Sequence, residues 1–128
     1  MNINDNNALD ILEKLGSCLK IEEDKFDAFT SIFGAGPAFI SHLSNTLAKI
    51  AKEHGFEEPE PWIREILDGT SHIHKSDEKN SFENIVDMVA SKGGVTEAAL
   101  NKINEKGIED IWNQAINDAI IKSKALGD

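Results

Sequence analysis

Apolar residues recur at helical spacing along most of the chain. Phe26, Phe29 and Phe33 follow an acidic start at 22–24 at intervals of three and four residues, which places them on one face of a helix. The same spacing predicts helices over 8–15, from Pro61 to a polar loop at 75–81, from Ser81 to a glycine pair at 93–94, over 96–103 and over 108–125. Only residues 18–21 alternate in a way that allows a short strand. The pattern therefore predicts an all-α fold.

A proline interrupts the longest of these predicted helices. Pro37 removes a backbone hydrogen bond and pushes a helix off its axis. Because the helical period resumes at Phe39 and continues to a glycine stop at Gly55, we expect a kink or break here rather than an end. The faces of this kinked helix are apolar nearly all round, which in a chain of 128 residues suggests burial against a second copy.

The chain shows no internal repeat and no low-complexity linker, so we interpret residues 1–128 as a single helical domain. Residues 1–7 are polar and lack helical spacing, and we predict a disordered start over about this range.

Charge and cysteine content narrow the range of functions. The net charge of −10 argues against binding to nucleic acid or to an anionic membrane surface, both of which require a basic patch. The uncharged stretch at 28–48 is long enough to span a membrane but carries too many polar side chains. The single cysteine, Cys18, cannot form an internal disulfide, and its apolar neighbours predict a buried position. These features favour a soluble, cytoplasmic protein that contacts neither nucleic acid nor membrane.

The corner around Gly93-Gly94 is the candidate functional site. Paired glycines allow successive N–H groups to point into one small space, and the following helix begins with unpaired donors at the positive end of its dipole. This combination can bind phosphate or carboxylate. The alternative from local chemistry is a helix–turn–helix corner in which Thr96 serves only as a capping residue.

Two other motifs were considered, a dinucleotide-binding turn and a histidine metal site, and neither matches the pattern that such a site requires. The stretch Gly34-Ala35-Gly36 lacks the third glycine of a dinucleotide-binding turn and follows a helical run rather than a strand. His72 and His74 point to different sides of a helix and have no thiol nearby, so we predict no metal site.

Two stretches together resemble the C-terminal domain of pyrroline-5-carboxylate reductase, the family that catalyses the last step of proline synthesis. Residues 27–39 are similar to the family's D-A-V-T-A-L-S-G-S-G-P-A-Y, and residues 87–96 are similar to D-x-V-T-S-P-G-G-T-T. Their order and separation agree with the family, and the likeness covers nearly the whole chain from about residue 9.

The resemblance implies a kinked-helix bundle that interlocks with a second copy, as in C-terminal domains of the 6-phosphogluconate-dehydrogenase type. It implies a homodimer or higher oligomer and a site for the carboxylate of pyrroline-5-carboxylate or proline. The lining residues, carried over by position, are Ser91, Gly93, Gly94, Val95 and Thr96, with the Thr96 hydroxyl donating to the substrate. Two positions depart from the family pattern, with Lys92 in place of the loop proline and Val95 in place of the first threonine.

The family's N-terminal dinucleotide-binding domain has no counterpart in these 128 residues. We therefore expect no cofactor or metal in this chain, and NADPH only if a dinucleotide-binding domain is supplied, for example by a separate chain. Two other interpretations stay open, a degenerate non-catalytic dimer that serves as an interaction module and an unrelated acidic helical adaptor.

Overall fold

A computed structural model describes residues 5–76 and 81–127. Seven α-helices make up most of this part of the chain. They are α1 (Asp5–Glu13), α2 (Phe26–Phe29), α3 (Gly36–Glu53), α4 (Glu60–Ser76), α5 (Phe82–Val89), α6 (Val95–Glu105) and α7 (Ile108–Gly127). A 3₁₀ turn at Glu23–Lys25 precedes α2, and a π-helical turn at Thr30–Gly34 connects α2 to α3. The all-α prediction is confirmed.

Several predicted boundaries differ from those observed. α1 begins at Asp5, so residues 5–7 are helical rather than part of a disordered start, while 1–4 lie outside the described residues. Residues 18–21 adopt no regular secondary structure, and no strand occurs in 5–76 or 81–127. α4 continues through Ser76, so the predicted polar loop at 75–81 begins later than expected, and residues 77–80 of that loop fall outside the described part.

The predicted break in the long helix is confirmed, but it takes the form of a π-turn before the proline. The N–H of Ala35 donates to the carbonyl of Thr30 (3.1 Å), a bond that spans five residues instead of four. Pro37 lies in the first turn of α3, where its missing N–H costs no intrahelical bond. α3 ends as predicted, with Gly55 at a positive φ of 89° just beyond it.

Helix α7 makes contacts with several other elements of the fold. It packs against α2, the π-turn and α6, while α3 packs against the π-turn and α4. The hydroxyl of Ser123 in α7 donates to Asp27 Oδ1 in α2 (2.6 Å), and the rings of Phe39 and Trp112 meet edge to face at 5.2 Å.

An ion pair joins α3 to α4. The ammonium group of Lys52 donates a hydrogen bond to Glu60, which holds the pKa of the Glu60 carboxyl below its ordinary value of 4.5. The neighbouring Pro61 lies in the first turn of α4, as predicted.

The single chain buries few side chains. Among the described residues, the apolar side chains classed as buried are Ala48, Ile63 and Ile85, with Pro59 also enclosed. Large apolar side chains are exposed on almost every helix, for example Leu15 at 82% and Trp62 at 72%. Cys18 is exposed, as are all of residues 14–20 in the described part of the chain, so the prediction of a buried thiol was wrong. No described helix is long and apolar enough to cross a membrane.

Candidate anion-binding corner

The Gly93-Gly94 corner lies between α5 and α6. α5 begins where the Ser81 hydroxyl accepts a hydrogen bond from the Asn84 N–H (3.1 Å), which satisfies one of the open donors of its first turn. It ends at Val89, and residues 90–94 turn the chain into α6. Gly94 is the N-cap residue of α6. The first turn of α6 therefore faces the space beside this loop.

Both glycines are required by the geometry of this turn. Gly93 has a φ of 74°, a left-handed conformation that side chains disfavour. The N–H of Gly94 donates to the carbonyl of Ser91 (2.9 Å), which closes the turn. A Cβ atom on Gly94 would lie 2.7 Å from Ser91 Oγ and 2.8 Å from Ser91 O, closer than such atoms approach in proteins.

A carboxylate from α6 already satisfies one donor of the corner. Glu97 Oε2 accepts a hydrogen bond from the Gly93 N–H (2.8 Å). Glu97 stands three residues after the N-cap, the position from which an acidic side chain reaches back over a helix start. Glu97 was not predicted as a residue of this corner, although an acidic residue three positions after an N-cap is a signal that can be found in the sequence.

Thr96 is not the helix cap. Gly94 takes the cap position, and Thr96 lies inside the first turn with a half-buried side chain. The capping interpretation of Thr96 was therefore wrong, because the helix begins at Val95, one residue earlier than the periodicity indicated.

The first turn of α6 retains donors for a ligand. The amides of Val95, Thr96 and Glu97 have no acceptor within the helix, since the first N–H groups of a helix precede its first available carbonyl. They lie at the positive end of the helix dipole. The side chain of Val95 is 89% exposed. Amides at the start of a helix are donors of the kind that can hold a small anion.

The structure brings Ser91, Gly93, Gly94, Val95 and Thr96 into one corner, with Ser91 and Lys92 exposed at its rim. His74 lies beside the start of α5, where its ring meets that of Phe82 at a centroid distance of 4.5 Å and an interplanar angle of 56°. Within the described ranges, no three His, Cys, Asp or Glu side chains are grouped so that they could hold a metal ion.

Comparison with known proteins identifies the family. The sequence model of the family described as pyrroline-5-carboxylate reductase dimerisation matches residues 23–126. The pyrroline-5-carboxylate reductase of Staphylococcus haemolyticus is 34% identical over 120 residues, which is 91% of this chain and 44% of that protein. The Staphylococcus aureus reductase is 31% identical over 122 residues, 93% of this chain and again 44% of the relative.

Solved structures show the same fold. A 1-pyrroline-5-carboxylate reductase from Streptococcus pyogenes is 29% identical, with a TM-score of 0.78 over 94% of this chain and 47% of that chain. The Coxiella burnetii reductase reaches a TM-score of 0.85 at 22% identity, over 98% of this chain and 48% of that chain. The Plasmodium falciparum pyrroline carboxylate reductase, solved with NADP bound, reaches 0.84 at 24% identity, over 100% of this chain and 50% of that chain.

The helical fold is that of the C-terminal part of these reductases. The chain belongs to the pyrroline-5-carboxylate reductase dimerisation family. It spans about half the length, or somewhat less, of the relatives that it matches.

Proposed function

We propose that this chain is the dimerisation and substrate-carboxylate-binding part of a pyrroline-5-carboxylate reductase. The family match over residues 23–126 carries this proposal, because it includes both the kinked helix and the glycine corner. In the proposed reaction, a hydride from NADPH reduces the C=N bond of pyrroline-5-carboxylate, and a proton on the ring nitrogen completes proline. We assign this reaction to the cytoplasm, in keeping with a role in proline biosynthesis.

The exposed surface supports a homodimer. The chain exposes 11344 Å², whereas a compact monomer of 14.1 kDa is expected to expose about 6,700 Å². The excess is about 4,600 Å² per chain, or about 9,200 Å² for two copies, which is more than the roughly 2,000–5,000 Å² that an obligate homodimer interface buries in total. Large apolar side chains of helices α3, α4 and α5 are among those exposed. We propose that a second copy of the same chain packs over these apolar side chains.

The corner supports binding of a carboxylate. The Thr96 hydroxyl and the first-turn amides of α6 would donate to its oxygens, while Glu97 keeps the Gly93 amide occupied and holds the turn closed. Lys92 at the rim adds a positive charge that attracts an anion. These groups bind and orient the substrate, and none of them supplies the hydride.

The hydride donor requires a further domain in this proposal. A nicotinamide must be held against the substrate for transfer to occur, and dinucleotide sites of this kind use a strand followed by a glycine-rich turn and a helix. The described residues contain no strand. A dinucleotide-binding domain, in the same protein or in a separate chain, would therefore hold NADPH, and residues 1–128 alone would not transfer hydride.

A second candidate function is a non-catalytic helical dimer that serves as an interaction module. Val95 and Lys92 favour it, since they replace a hydroxyl and a rigid proline of the family's loop. The two candidates share the dimer and differ in whether the corner binds a carboxylate.

Calorimetric titration with proline, the stable product, separates them. We expect binding in the millimolar range or tighter, and a loss of about tenfold in Thr96→Ala, because a hydrogen bond to a charged group disappears. Thr46→Ala is the matched control, since its hydroxyl donates to the His42 carbonyl within α3, away from the corner. Absence of proline binding in a dimeric parent chain would favour the interaction module, and a monomer in sedimentation analysis would contradict both candidates.

A further inference from the structure

Glu97 places a negative charge at the glycine corner. Its Oε2 atom accepts the hydrogen bond from the Gly93 N–H at 2.8 Å, and its side chain is half-buried. Within residues 5–76 and 81–127, no lysine or arginine forms an ion pair with it. The carboxylate is therefore held against the turn by a backbone amide, and no described basic side chain pairs with it.

The remaining donors of the corner lie in the first turn of α6, close to this carboxylate. The Gly94 N–H already donates to the Ser91 carbonyl (2.9 Å), and the Gly93 N–H donates to Glu97. The amides of residues 95–97 have no acceptor within the helix. Because the side chain of Glu97 reaches back past the start of the helix, an anion bound by these amides lies beside the Glu97 carboxylate.

The charge of a ligand decides how strongly Glu97 opposes its binding. The positive end of a helix dipole is equivalent to roughly half an elementary charge, which is less than the full negative charge of a carboxylate. A carboxylate ligand carries one negative charge, whereas a phosphate group carries about 1.5 to 2 at neutral pH. Repulsion from Glu97 therefore opposes a phosphate up to about twice as strongly as it opposes a carboxylate. Lys92 at the rim is exposed, so solvent and salt screen its charge.

We propose that Glu97 is a specificity-determining residue, which lets the corner accept a singly charged carboxylate and disfavours doubly charged anions such as phosphate. A glycine-rich turn at a helix start binds phosphate in other proteins, so the turn alone does not distinguish the two ligands. The charge of Glu97 supplies the distinction. This inference rests on the proposed function, because it concerns selection at the same site.

Calorimetric titration of the 128-residue chain with two probes, proline and inorganic phosphate, tests the proposal at constant ionic strength and at about pH 8, where phosphate is mostly doubly charged. In the parent chain we expect phosphate to bind at least about tenfold more weakly than proline. Glu97→Gln removes the charge but keeps an amide oxygen that can accept the Gly93 N–H. It should tighten phosphate binding about tenfold or more and change proline binding about threefold or less.

Glu105→Gln is the matched control. It makes the same change in net charge at the other end of α6, where Glu105 pairs with Lys102 (2.8 Å) in an exposed position. The two glutamates are separated by about 12 Å along the helix axis, which exceeds the Debye length of about 10 Å at 0.1 M salt. This variant should therefore bind both probes as the parent does.

Two results would overturn the proposal. One is equal phosphate affinity in the parent and in Glu97→Gln, including no binding by either chain. The other needs no substitution, and it is phosphate binding to the parent as tightly as proline. If the parent binds no proline, the proposed function fails, while phosphate binding by the parent and by Glu97→Gln still decides the role of the Glu97 charge.

Discussion

Gly94 is the residue at which the turn leaves least room. Its amide closes the turn on the Ser91 carbonyl, and its α-carbon lies so near Ser91 that a methyl group would overlap both the hydroxyl and the carbonyl oxygen. The carbonyl is backbone and cannot rotate away as a long side chain can. Any larger residue at this position must therefore open the turn that presents the donors of α6.

We predict that Gly94→Ala weakens proline binding more than tenfold, since the first-turn amides and Thr96 lose their common orientation. Calorimetry measures this loss. Gly69→Ala is the matched control, because a Cβ there meets nothing within 4 Å inside α4. That variant should bind proline normally and gain about 0.5–1 kcal/mol of stability from improved helix propensity. Binding of proline by Gly94→Ala at the parent affinity would contradict the proposed site.

At the scale of elements, hydrophobic periodicity predicts the helices well and their junctions poorly. The apolar spacing of 26–33 and 39–50 places α2 and α3, and Pro61 correctly marks the first turn of α4. The sequence did not predict the π-turn. A π-turn contains one more residue than an α-helical turn but has no residue composition of its own that would mark it in the sequence. The break predicted at Pro37 is therefore real, but it lies before that residue.

Polar contacts at the corner were harder to predict than the corner itself. The glycine pair and the family resemblance identify the position of the turn. The bond from the Gly93 N–H to Glu97 depends on where α6 begins, and the cap lies at Gly94, two residues before Thr96. Exposure of Cys18 escaped prediction for a different reason, since apolar neighbours indicate burial only where another element covers them.

The hydrogen bond between Ser123 and Asp27 tests how α7 holds α2. It joins residues far apart in sequence in a partly buried position, so we expect Ser123→Ala to lower the free energy of unfolding by about 1–3 kcal/mol. Chemical denaturation at fixed protein concentration measures the change. Ser44→Ala removes a hydroxyl that bonds only to the Ile40 carbonyl of its own helix, and it should change stability by less than about 0.5 kcal/mol. An equal effect of both variants would show that α2 is held by apolar contacts alone.

The whole molecule combines a large exposed apolar area with a strongly acidic surface. Each chain carries a net charge of −10. When two copies associate, apolar area is buried, but two negatively charged chains also repel each other. The apolar part depends weakly on ionic strength, whereas repulsion between exposed charges is screened by salt. Salt should therefore favour association of the two copies.

We predict that raising NaCl from about 20 mM to about 500 mM lowers the dimer dissociation constant several-fold, since the Debye length falls well below the size of the protein. Sedimentation equilibrium at both salt concentrations measures the shift. The double variant Glu57→Gln, Glu58→Gln removes two exposed negative charges and should reduce this salt dependence. A dissociation constant that rises with salt would instead mean that ion pairs between the two copies hold the dimer.

The π-turn at Thr30–Gly34 also limits how this chain can change in length. Successive residues of an α-helix are rotated by about 100° about its axis, so loss of one residue from the turn would swing α3 by roughly that angle relative to α2. Phe39 would then leave Trp112, and the broad apolar surface of α3 would face a different direction. Insertions and deletions are therefore tolerated after Gly55 far more easily than between Phe29 and Gly36, where each residue sets an orientation.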